Sequence, residues 1–98
     1  MDNREIYKEK AQAKLDELNA RIDLLKAQMK GQAADAKLAL SGQMEVLENK
    51  REDLQSRMRQ LRTAAEDAWD EVQAGLDRAM DEVQHALDRA GEELDKAR

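Results

Sequence analysis

Apolar residues recur along this chain at alternating intervals of three and four. From Leu15 they fall at Leu18, Ile22, Leu25 and Met29, with Ala11 one step earlier, which is the spacing of a heptad seam on a helix. The polar positions between them carry Lys14, Asp16, Glu17, Arg21, Asp23 and Lys26, suited to weak pairing along or between helices. A second run of the seam reads Leu47, Arg51, Leu54, Met58, Leu61 and Ala65, with Arg51 interrupting its apolar character. An arginine there either lays its stem along the apolar face and sends its head outward, the reading favoured here, or meets an acidic partner that fixes register.

From Ala65 the period lengthens to eleven residues: AEDAWDEVQAG, LDRAMDEVQHA and LDRAGEELDKA. The first position holds Ala65, Leu76 and Leu87, the fourth Ala68, Ala79 and Ala90, and the eighth Val72, Val83 and Leu94. At eleven residues per three turns each step is about 98°, so the three positions form one stripe within roughly 65°. Trp69 and Met80 flank it, and Gly91 takes that place in the last copy. The eleven-residue phase extends backwards through LQSRMRQLRTA, residues 54–64, where Leu54, Met58 and Leu61 align with Leu76, Met80 and Val83.

The pattern therefore predicts an all-α chain, a coiled coil with heptads in its N-terminal half and eleven-residue repeats in its C-terminal half. Asp2 or Asn3 caps its start, with Glu5 three residues after Asp2. One domain is expected over 1–98, a heptad-like helix at 3–62 followed by an acidic repeat helix at 63–98. Two places invite a break. GQAADAKLALSG, bracketed by Gly31 and Gly42, holds little apolar area, yet a seam passes through Ala33, Ala36, Leu40 and Met44 without losing phase. Thr63 and Glu66 have capping-box spacing, yet the eleven-residue phase crosses them. A continuous helix of about 145 Å is the expectation over a hairpin or a second start. Its supercoil is expected to be left-handed near Leu15–Met29 and nearly straight from Leu54 onward.

Composition narrows what such a rod does. Of 98 residues 40 % are charged and 2 % aromatic, with no proline and no cysteine. That is too polar for an ordinary globule, while the sustained helical register argues against disorder. Residues 1–64 carry thirteen Lys and Arg against eleven Asp and Glu, and residues 65–98 four against eleven. The densest basic segment, Lys50, Arg51, Arg57, Arg59 and Arg62, stands directly before the acidic repeats, a polarity suited to antiparallel or staggered pairing between chains. The N-terminal MDNREIYKEK has no apolar core of a signal peptide and no run reaches the roughly 18 residues of a membrane span, so a cytoplasmic location is expected.

Candidate chemistry is sparse. Glu82 and His85 spell Glu-x-x-His, a ligand pair in bundle metal sites, but they point about 115° and 180° away from the stripe, so no metal site and no cofactor are expected. The Ser and Thr hydroxyls are Ser41, Ser56 and Thr63, the single His faces outward, and there is no phosphate loop, so the chain is not expected to be an enzyme. The acidic tail opposes nucleic-acid binding, and no aromatic platform accompanies the basic segment.

The runs AAEDAWDEVQAGLDRAMDEVQHAL, KAQAKLDELNARIDLL and NKREDLQSRMRQLR resemble a small family of bacterial coiled-coil proteins labelled as stress-response proteins. The similarity spans Tyr7 to Leu94. It includes an EDAW core at Glu66, Asp67, Ala68 and Trp69, and Met80 stands where that family often has a second tryptophan. The resemblance implies a non-enzymatic role under stress and names no partner. The residues imply a structural or scaffold element that self-associates as a homo-oligomer through Leu18, Ile22, Leu25, Leu54, Leu61, Val72, Leu76, Val83 and Leu87. The alternative is a peripheral membrane-binding amphipathic helix, disfavoured by its acidic outer face.

Overall fold

The computed structural model describes residues 3–97: α1 spans Asn3–Lys30, α2 Ala34–Thr63 and α3 Trp69–Ala97, with one 3₁₀ turn at Glu66–Ala68 leading into α3. The described residues form no strand, so the chain is all-α. None of these helices is long and apolar enough to cross a membrane. The expected Asp2 cap lies outside the described residues.

The continuous helix is not what forms. The chain folds back twice into three helices of 28, 30 and 29 residues, and the bundle measures 50 × 20 × 16 Å. The reason is the stripe itself: an isolated helix leaves its apolar face wet, and two reversals cover that face with other parts of the same stripe. Ala11, Leu15, Leu18, Ile22 and Leu25 of α1 meet Leu40, Met44, Leu47, Leu54, Met58 and Leu61 of α2, and both pack on Trp69, Leu76, Ala79, Val83, Ala86, Leu87, Ala90 and Leu94 of α3. No polar or charged residue is buried among them.

Polar pairs across the helices fix their directions. As α1 passes Gln12, Asp23 and Lys26, α2 presents Arg62, Arg51 and Glu48, so the two run antiparallel in constant register. Arg21 of α1 reaches Asp88 of α3 at 3.6 Å and Arg4 reaches Glu66 at 3.2 Å, so α1 and α3 point the same way. Lys50 of the basic segment meets Glu82 of the acidic helix at 3.5 Å. The basic and acidic halves thus lie side by side, within one chain.

Both reversals are built from little. α1 tightens at its end, where the Gly31 N–H donates to the Gln28 carbonyl at 3.2 Å and the Gln32 N–H to the Met29 carbonyl at 3.1 Å. Ala33 then takes an extended backbone, φ −64° and ψ 159°, and α2 starts behind it with no side-chain cap. The second reversal is Ala64 and Ala65, both extended, again with no side-chain cap. Thr63 does not cap forward to the next helix as the capping-box spacing suggested. Its hydroxyl turns back to the Arg59 and Gln60 carbonyls at 3.3 and 3.4 Å.

Burial separates two leucines of α2 sharply. Leu61 is fully buried, whereas Leu38 is 76 % exposed. Leu61→Ala should lower unfolding stability by about 2–4 kcal/mol, and Leu38→Ala should change it by less than about 0.5 kcal/mol, both read by urea denaturation followed by circular dichroism.

Candidate functional site: the shared seam and its junctions

The residues assigned above to an interface between copies face their own chain. Leu18, Ile22, Leu54, Leu61, Leu76 and Val83 are fully or almost fully buried, Leu25 and Leu87 are buried, and Val72 is partly buried against the same core. They are one surface closed on itself. The first copy of the eleven-residue pattern is spent on the second reversal, with Ala65 exposed and Ala68 only half-buried, while the positions from Leu76 to Leu94 face the core.

Arg51 resolves its two readings in favour of a partner. Its head reaches Asp23 on α1 at 3.2 Å and Glu48 on its own helix at 3.8 Å, and its side chain is 24 % exposed. Asp23 is exposed while Arg51 and Glu48 are partly buried, and what the Asp23 pair specifies is which residue of α1 lies beside which residue of α2.

The start of α3 carries a contact that the seam positions alone did not reveal. Trp69 is 93 % buried, with the Tyr7 ring edge-on at 6.0 Å and 79°, and the Arg4 guanidinium and Lys8 ammonium at 5.6 and 5.8 Å from its ring centre. The Tyr7 hydroxyl donates to Asp77, about two turns further along α3. Tyr7 stands four residues before Ala11, so continuing the seam one more step backwards would have found it. Trp69 holds the fifth position of the repeat, at the edge of the stripe, and that edge is buried here at the start of α3. Beside the cluster an open groove of about 330 Å³ is lined by Asn3, Arg4, Ile6, Tyr7, Lys10, Trp69 and Gln73.

Glu82 and His85 are both exposed, on the rim of a groove of about 160 Å³ shared with Gln43, Val46, Lys50, Ala86 and Arg89. Glu82 is engaged with Lys50. Among the described residues no three His, Asp, Glu or Cys side chains gather with metal-binding geometry.

No protein-family model, curated protein or solved structure matches this chain. The reading of its function therefore rests on the seam and the two reversals.

Burial raises the ionisation range of the Tyr7 phenol, and the hydrogen bond and negative charge of Asp77 raise it further. The folded chain then favours the neutral phenol, while the unfolded chain ionises near pH 10. The contribution of this contact is complete below about pH 10 and falls as pH rises through that range towards the higher folded value. Tyr7→Phe should cost about 1 kcal/mol or less at pH 7, and the gap between wild type and variant should narrow at pH 10.5 in parallel urea titrations.

Proposed function

We propose that this chain is a non-enzymatic structural or scaffold protein that self-associates by pairing its helices along the seam that the single chain buries. The observation that carries this reading is the phase of the seam across the reversals. Met29, Ala33, Ala36, Leu40 and Met44 span the first, and Leu61, Ala65, Trp69, Val72 and Leu76 span the second, all at steps of three or four. A chain meant only to fold back has no need to keep helical phase through its turns. One that also pairs as an extended helix must keep it, because a lost phase would rotate half of the stripe to the outside.

The energetics support two states of similar stability. Seam contacts given up within a chain are regained between chains, so the balance lies between the entropy of association and the residues at the reversals. Those residues are mostly alanine, the strongest helix former, held extended without a cap. The extended form would be a coiled coil, heptad-like towards its N-terminus and with eleven-residue repeats towards its C-terminus. A cytoplasmic, stress-related setting is the part of this proposal that rests on the resemblance of the EDAW-containing segment. Lying on lipid is the competing use of an opened seam, and the acidic outer face of α3, with Asp70, Glu71, Asp77, Asp81 and Asp88 exposed, disfavours anionic membranes.

Light scattering on the intact chain from micromolar to millimolar concentration tests the reading. Mass should rise to a dimer or a larger species while helicity is retained and unchanged by vesicles. A monomer at every concentration contradicts self-association, and mass or helicity that changes only with vesicles moves the function to the membrane.

A further inference from the structure

The first reversal, the α1–α2 register and the poorly covered start of α2 converge on a specific mode of pairing. We propose that two copies exchange α1: residues 31–33 become helix, Asn3–Thr63 runs as one rod, and α1 of each copy docks in the α2–α3 groove of the other. Tyr7, Arg4 and Lys8 of one copy then pack on the partner's Trp69. This rests on the self-association reading and names its partner, a second copy, and its moving part.

Three observations single out this segment. α2 and α3 form the most extensive pairing in the bundle, and α1 is the helix laid against them. Its tether is three residues, Gly31, Gln32 and Ala33, too short for slack and free of any residue at positive φ. A short hinge loop between two packed helices is the kind of element at which exchange between copies arises at low cost. Gly31 is not there for its conformational freedom, since an added Cβ would meet only the Gln28 carbonyl at an ordinary 3.5 Å.

The register supplies the geometry. Gln12 with Arg62, Asp23 with Arg51, and Lys26 with Glu48 are each equidistant in sequence from Lys37. If the same antiparallel register is kept between two straightened rods, their two-fold axis passes beside Lys37. The segment from Gly31 to Gly42 then crosses its own copy. In the single chain only Leu40 of this segment is buried: Ala33, Ala34, Leu38 and Ala39 are exposed, and a Cβ at Gly42 would meet nothing within 4 Å. Its small side chains suit two helix backbones crossing closely. The pairing would continue the α1–α2 interface already present rather than require a new surface.

Proline separates this mode from others. Ala34 is the first residue of α2 and follows an extended Ala33, so Ala34→Pro fits the folded-back chain but forbids helix through residues 30–34. Ala65→Pro likewise fits the second reversal, where φ is −69° behind an extended Ala64, and leaves the first untouched. Gly31→Ala is accommodated in the bundle as well, so it favours the rod by at most about five-fold at each of two tethers, at most about 25-fold in the dimer dissociation constant. Expected by light scattering and small-angle scattering are a wild-type dimer about 90 Å or more in length, a tighter Gly31→Ala dimer, an Ala65→Pro dimer, and an Ala34→Pro monomer with the 50 Å length of the bundle. An Ala34→Pro chain that still dimerises, or a wild-type dimer no longer than stacked bundles, overturns the exchange while leaving self-association in place. A wild type and a Gly31→Ala chain that both stay monomeric remove both.

Discussion

Everything in this molecule follows from one narrow apolar stripe that has to be kept from water. The described helices hold few large side chains and bury no whole polar or charged residue, and no single one of them encloses a core. Each stripe is stable only against another stripe of the same kind. The chain supplies three of nearly equal length and closes them on one another, and the ion pairs at their borders decide the direction and the register of the closure. The stripe explains the fold, and it also leaves the identity of the covering stripe unspecified.

That ambiguity shaped what could be read from the residues. The helical class and the buried face were legible because spacing alone determines them: Leu18, Ile22, Leu54, Leu61, Leu76 and Val83 lie inside whichever helix covers them. Both reversals fall at the two places the pattern marked, at Gly31 where the small-residue segment starts and just after Thr63, but nothing local chose a break over continued helix. Turns are usually announced by proline, asparagine or a left-handed glycine, and here the chain reverses through Gly31 without positive φ and through extended alanines. Local preference favours continuing the helix at Ala33, Ala64 and Ala65, and tertiary packing overrides it. Thr63 and Glu66 marked nearly the right place for the wrong reason, since the break comes there without the cap that their spacing implied.

The site followed the same division. Arg51 was visible as an anomaly in the seam, and its choice of Asp23 depends on the register of a helix that lies 28 residues earlier in the chain. The group around Trp69 depends on residues 70 positions apart in the chain, Tyr7 with Asp77, and no local pattern connects them. Glu82 and His85 show the converse case, where helical geometry alone placed two suggestive side chains on the outside, and there they lie.

Trp69 is the single tryptophan of the chain, and it sits where the start of α1, the second reversal and the start of α3 come together. The near-ultraviolet emission of the entire protein thus originates at one junction. Undocking of α1 would wet the indole and separate it from two cations and a phenol at once, so the chain carries an intrinsic optical gauge of its own closure without any added label.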